Sequence, residues 1–152
     1  MKFSAQEEYG LRCLLRIGKS KNGLTIPEIS QLEGLSTANV GKLLRILRLG
    51  GFIESARGQN GGYKLVKLPN EIIIGEVLTV LGGKFYENDF CNDHSGAAPI
   101  CANSIDCSVR SLLKTMQNMF DQVLSKITLR DMLGNEEEVK LLTINLADID
   151  SN

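Results

Sequence analysis

Three cysteines, Cys91, Cys101 and Cys107, lie within seventeen residues of one another and are the side chains of this sequence best suited to chemistry. Their stretch reads Phe90-Cys-Asn-Asp-His-Ser-Gly-Ala-Ala-Pro-Ile-Cys-Ala-Asn-Ser-Ile-Asp-Cys107, rich in turn formers and poor in large apolar groups. Thiolates are preferred ligands of soft metals and iron–sulfur clusters, and a segment with little to pack can be ordered by wrapping such a centre. The spacing Cys-x9-Cys-x5-Cys leaves one position of a four-ligand site unfilled. His94, the one histidine, sits inside the loop and is a candidate for it. Three cysteines and His94 would equally suit a structural zinc ion. Cys13 stands apart, in an apolar helical stretch, and reads as a buried, hydrophobe-like thiol.

The elements around the loop decide what such a centre would serve. The sequence has 152 residues, 43% hydrophobic and 23% charged, enough for one ordinary soluble domain with a helical appendage. No apolar run approaches the roughly 20 residues that span a bilayer. The acids Glu7 and Glu8 stand where a signal peptide would begin its apolar region. The expected setting is therefore a reducing cytoplasm with no membrane, where clustered cysteines favour metal binding or redox sensing over a structural disulfide.

Ser4 is placed to cap a helix running to about Lys19, with Leu11, Leu14, Leu15 and Gly18 as its buried stripe. Thr25-Ile-Pro-Glu28 has the capping-box form and starts a short helix to Leu32. After the turn Glu33-Gly34-Leu35, Ser36 caps a third helix with Val40, Leu43, Leu44 and Leu47 inward, ended by Gly50-Gly51. Two helices joined by a glycine-bearing turn are a helix-turn-helix signal. Phe52–Arg57 and Tyr63–Leu68 follow as strands, and Gly58-Gln-Asn-Gly-Gly62 supplies the positive φ angles of a hairpin.

This order is that of a winged helix-turn-helix, and the predicted fold is mainly α with a small β-hairpin. Ile74–Leu81 reads as a helix stopped by Gly82-Gly83. Val109, Leu112, Leu113, Met116, Phe120, Val123 and Ile127 keep one face apolar for about five helical turns. Such a helix, standing beyond a compact domain, needs a partner surface, and a dimer matched to a palindromic site would provide it. Thr128–Asp131 restarts a short helix ending near Gly134. The expected organisation is a DNA-binding domain at 1–82, a cluster-binding loop at 83–107, a dimerisation helix and its short successor at 108–134, and an acidic tail at 135–152.

The net charge of −1 conceals an uneven distribution: six basic residues and one acid between Ser36 and Leu68, six acids and one lysine from Asp131 to Asn152. Two ordinary solvated faces would look the same, but the basic segment coincides with the helix-turn-helix. The start of a recognition helix enters the major groove, which puts Ser36, Thr37 and Asn39 nearest the base edges and Lys42 further along. Arg45 and Arg48 are better placed for phosphates. Arg57, beside Gly58, and Lys64 lie on the wing, where an arginine suits a narrow minor groove.

Arg57-Gly-Gln-Asn-Gly-Gly-Tyr63 is similar to the wing motif of the IscR, NsrR and RirA group of bacterial regulators, the Rrf2 family, and Ile74-Gly-Glu-Val77 and Ile127-Thr-Leu129 resemble two more of its landmarks. With the cysteine triplet, the resemblance spans residue 1 to about 134. It implies a homodimeric transcription regulator, read as a repressor, with crossed long helices. Its operator affinity would be controlled by a 2Fe–2S or 4Fe–4S cluster near the partner's DNA-binding domain. The nine-residue first gap is longer than in the best-known members. The position of the IscR-type histidine ligand is Arg110 here, which stays protonated and cannot ligate. In NsrR-like members an acid from the partner's first helix completes the site, and Glu8 occupies that position. A thiol switch without metal, known for some members, and a zinc-dependent regulator remain open. An electron-transfer iron–sulfur protein is a further class, but it gives the winged reader no purpose. With no nucleotide-binding loop, paired catalytic carboxylates or nucleophile–histidine pair, an enzyme is not expected.

Overall fold

The computed structural model describes residues 3–58 and 61–148. Helix α1 (Ala5–Lys19) starts where the Ser4 N–H donates to the Glu7 carboxylate at 2.7 Å. Helix α2 (Ile26–Glu33) has a reciprocal cap, the Thr25 N–H donating to Glu28 Oε2 and the Glu28 N–H to Thr25 Oγ1. It ends at Gly34, whose φ of 68° makes the turn into α3 (Thr37–Leu49). Ser36 caps α3 by accepting from the Asn39 N–H at 3.2 Å. At its far end the left-handed residue is Gly51 (φ 82°), while Gly50 stays right-handed.

Strands β1 (Ile53–Ala56) and β2 (Gly62–Leu65) pair antiparallel, Ile53 opposite Leu65 and Ala56 opposite Gly62. Both are shorter than the sequence predicts. Beyond Leu65 the chain turns instead of extending to Leu68: Pro69–Glu71 forms a single 3₁₀ turn, and the Glu71 carboxylate accepts from the Leu68 N–H. Leu24 adds a bridge on the other side of β2, exchanging hydrogen bonds with Tyr63 at 2.7 and 3.1 Å.

Helix α4 (Ile74–Gly82) packs on α1 and α3. Gly10 permits the α1–α4 crossing, because a β-carbon there would collide with the Leu81 side chain. The short α5 (Phe90–Asp93) gives one helical turn to a loop expected to be irregular. Helix α6 (Ser108–Leu124) carries the predicted apolar stripe but stops before Ile127. Helices α7 (Leu129–Met132) and α8 (Glu136–Asp148) follow, the latter within the segment expected only as an acidic tail; residues 149–152 of that tail lie outside the described residues.

The core joins Leu14, Ile17, Ile29, Leu43, Leu44 and Leu47 to Ile72, Val77 and Leu81, all buried. Burial of such side chains contributes about 1.5–3 kcal/mol each. The α1 stripe is rotated from expectation: Cys13, Leu14 and Ile17 reach the centre, while Leu11 and Leu15 are half-buried. Ile127 and Leu129 belong to this same core rather than to the long helix. The chain returns to reach it. The Ile74 N–H donates to the Ile127 carbonyl at 2.9 Å and the Leu129 N–H to the Ile72 carbonyl at 2.8 Å. Among the described residues no helix is long and apolar enough to cross a membrane.

Candidate DNA interface and cysteine site

The buried side of α3 fixes its opposite side. With Val40, Leu43, Leu44 and Leu47 inward, Ser36, Thr37, Lys42, Arg45 and Arg48 are exposed and Asn39 is half-buried. Ser36 uses one acceptor lone pair on the α3 cap, which leaves its hydroxyl hydrogen and a second lone pair for a ligand. On the wing, Arg57, Gly58 and Lys64 are exposed. Among the described residues none of Lys42, Arg45, Arg48, Arg57 and Lys64 forms an ion pair. Two basic residues of α1 behave oppositely. Arg12 Nε and Arg16 Nε both grip the Glu33 carboxylate, at 2.9 and 2.6 Å, fastening α1 to the end of α2. Burial pushes the Glu33 carboxyl up, but hydrogen bonds from Arg16 and Arg12 outweigh it and leave it below the ordinary value.

The wing glycines have separate reasons. Gly62 has a φ of 137°, and a β-carbon there would lie 2.9 Å from the Leu24 backbone. Gly61 is pressed against the Ala56 and Gly58 carbonyls, each 2.8 Å from where its β-carbon would stand. Only Gly58, at φ 111°, has open space around it. Close contacts therefore demand two of the three, and Gly58 is required by its backbone angle alone. Gln59 and Asn60, at the tip, lie outside the described residues.

Cys91, Cys101 and Cys107 are half-buried free thiols lining one cavity of about 250 Å³, together with Ser95, Asn103, Ser104 and Arg110. Cys91 is placed by α5. Cys107 is the N-cap of α6 and accepts the Arg110 N–H at 3.3 Å. The Arg110 guanidinium reaches back to the carbonyls of Ser104 and Ile105, at 3.0 and 3.5 Å. The residue that cannot ligate thus closes the loop by hydrogen bonding. Among the described residues no three Cys, His, Asp or Glu side chains converge tightly enough to hold one metal ion. The donor set fits a soft metal centre in type, three thiols around a shared space, without being drawn to a single point.

The two candidates for a fourth ligand lie off this cavity's lining. His94 stacks on Phe90, with centroids 4.1 Å apart, and its Nδ1 donates to the Phe90 carbonyl at 2.8 Å. Glu8 is exposed on α1 and pairs loosely with Arg12 at 3.6 Å. Cys13 is fully buried, and desolvation pushes its thiol up to about 11.

Sequence reading missed Tyr86 and Gln117. Tyr86, only 6% exposed, places its hydroxyl 3.9 Å from Cys91 Sγ, and its N–H donates to Gln117 Oε1 at 3.0 Å. Burial, then the contact with Cys91, raises its phenol above the ordinary value. The contact to Gln117 spans 31 positions, so no local pattern announces it.

A three-helix core, a recognition helix with a bare basic face and a hairpin wing define a winged helix-turn-helix DNA-binding regulator. Residues 3–135 match the Rrf2 family of iron-dependent transcriptional regulators. The chain is 30% identical over 146 residues to the HTH-type transcriptional regulator NsrR of Bacillus licheniformis, covering 93% of this chain and 99% of that one. Among solved structures it is similar to T. potens IscR, with 27% identity, a TM-score of 0.68, and coverage of 88% of this chain and 86% of that one. It is also similar to CymR, the global cysteine regulator of B. subtilis, with 26% identity, a TM-score of 0.65, and coverage of 88% and 96%. The chain belongs to the Rrf2 family of transcriptional regulators and is not an enzyme.

Proposed function

We propose that the protein is a homodimeric repressor whose operator affinity is set by an iron–sulfur cluster. The residues that would hold it are Cys91, Cys101 and Cys107 of one subunit and Glu8 of a second copy. The observation that carries this reading is the shared cavity of the three cysteines at the N-terminus of α6, in the same chain as an unpaired basic face. Such a cluster, when bound, supplies a centre responsive to oxidants, nitric oxide or iron supply.

On this reading residues 1–82 read DNA, 83–107 hold the centre, 108–134 form the dimer contact, and 135–152 make an acidic tail. Val109, Leu112, Met119 and Phe120 are exposed on α6, an apolar face suited to a second copy of the same helix. Ser36, Thr37, Asn39 and Lys42 face the major groove, Arg45 and Arg48 the phosphates, and Arg57, Gly58 and Lys64 the minor groove beside the wing. Glu8 is a weaker ligand than a fourth thiolate. Its release would free a tie between subunits and shift one recognition helix against the other.

Operator affinity of cluster-loaded, cluster-free and Glu8→Ala protein tests the mechanism. The loaded wild type is expected to differ from the other two, and three equal affinities would sink it. Anaerobic purification with iron, sulfide and absorption measurements tests the cofactor. A colourless protein with one zinc per chain would replace the cluster with a Cys-and-His94 zinc site and leave the DNA reading standing. The likeness to CymR favours, as a second reading, a thiol switch without metal. Oxidant-dependent operator binding in protein free of iron and zinc would select it.

A further inference from the structure

Two contacts of the cysteine loop lead to the same helix. Cys107 is itself the N-cap of α6. Cys91 reaches α6 indirectly. Its Sγ lies 3.9 Å from the Tyr86 hydroxyl, and the Tyr86 ring packs on Phe90, the residue before Cys91, at 5.4 Å. The Tyr86 N–H donates to Gln117 Oε1 at 3.0 Å, and Gln117 Nε2 donates to Asp121 Oδ1 at 2.9 Å. Gln117 is a buried polar residue, 9% exposed. Neighbours of Tyr86 reinforce the junction: Lys84 Nζ pairs with Asp121 at 3.3 Å, and the Phe85 ring meets Phe120 edge-on at 6.2 Å.

A buried amide oxygen that accepts one backbone N–H leaves that N–H costly to unpair. Tyr86 is therefore held firmly on the α6 side while its hydroxyl sits on a thiol in a segment with little packing of its own. Below this junction α6 meets α4 closely, a β-carbon at Gly75 standing 3.2 Å from Leu124 Cβ. A displacement of Cys91 thus has a stiff route into the middle of α6, separate from the route through Cys107 at its end.

The geometry points to Tyr86 and Gln117 as positioning residues that couple occupancy of the cysteine site to the middle of α6. This deepens the cysteine-centred regulation proposed above. It rests on a thiol-bound centre but not on that centre's being an iron–sulfur cluster.

The test uses the full chain and cadmium ion, a soft metal that binds thiolates whatever the native centre is. Amide hydrogen exchange across residues 108–124 is measured with and without cadmium in wild type, Tyr86→Phe and Gln117→Met. In wild type, cadmium is expected to slow exchange several-fold in the stretch around Gln117. In both variants the slowing there should shrink to under half, while cadmium affinity stays within a few-fold and protection near Cys107 persists. Because the readout is a cadmium-induced difference within each protein, general loosening of a variant does not imitate uncoupling. Full slowing in both variants would overturn the proposal, as would wild-type protein that binds no cadmium or shows no slowing. Parallel reconstitution with iron and sulfide keeps the two proposals apart: its failure alongside a positive cadmium result would remove the cluster and leave the coupling.

Discussion

The winged domain and the cysteine loop occupy one chain but are held by different means. In the former, Leu14, Leu43, Leu44 and Leu47 are fully buried to within about 1%, and α2 and α3 each start on a side-chain cap. In the latter, Ile100 and Ile105 are exposed, the one helix has four residues, and Arg110 gathers loose carbonyls. The first is folded around an apolar core, with helix caps and the Arg12 and Arg16 contacts to Glu33 adding to it. The second has too little to bury and is shaped by its few tethers. A reader must keep one shape, whereas on the function proposed above the loop would take a shape that depends on its ligand.

The sharpest break between the two would come from truncation. Leu44→Ala should cost about 2–5 kcal/mol of stability, seen as a lower urea midpoint, whereas Cys101→Ser in metal-free protein should change it by no more than about 0.5 kcal/mol. Comparable losses would erase the distinction. Thiol chemistry gives the next contrast. Fully buried, with its thiol pushed up to about 11, Cys13 should alkylate far more slowly in folded protein than the half-buried Cys91 or Cys107, and should match them only in denaturant. Fast native labelling of Cys13, located by peptide mapping, would contradict the packed core.

Within the reader, Gly62→Ala should cost about 1–3 kcal/mol, because it strains a positive φ and crowds Leu24; Gly58→Ala pays only the first of these and should lose less. Thermal melts of the pair separate packing from flexibility in the wing. Arg57→Ala should leave the melting temperature unchanged, weaken operator binding, and reduce the salt dependence by about one phosphate-equivalent if the contact is to the backbone; fluorescence anisotropy over a salt series reads both. The smallest effect concerns pH. The carboxyl of Glu33 is depressed in the folded state, so its contribution is present above the unfolded value of 4.5 and lost as pH falls through the lower folded value. Glu33→Gln should therefore narrow its stability gap to wild type on acidification below 4.5, and a gap that widened there would reverse the sign.

Much of the reader was legible because its signals are local. Ser4, Thr25 and Ser36 each mark a helix start that the backbone adopts. The same reasoning overran where distant partners decide. Tyr63–Leu68 has strand-forming residues, but Leu24 pairs only near its beginning and the Glu71 carboxylate captures Leu68. Ile127 fits the period of α6 yet is apolar for another reason, its place in the core beside Leu129. The cysteines were visible by type and spacing, and the structure brings them around one cavity. Tyr86, Gln117 and the loop-closing use of Arg110 were not, since their meaning lies in contacts across a fold. Helix α8 was equally hidden, its apolar positions Leu141, Leu142 and Ile144 lying between acidic ends without a clear period.

The two hydrogen bonds that join Ile72 and Ile74 to Leu129 and Ile127 have one more consequence. They pin both ends of the intervening segment to adjacent points on the reader, so that the cysteine loop and α6, beyond α4, form an excursion closed at its neck. The entropy of such a closure grows only with the logarithm of its length, about 0.6 kcal/mol for each doubling. Residues can then be added between the cysteines at almost no expense to the DNA-binding core. The nine-residue interval between Cys91 and Cys101 is the kind of variation this architecture tolerates, leaving the geometry of the centre free to diverge while the reader stays fixed.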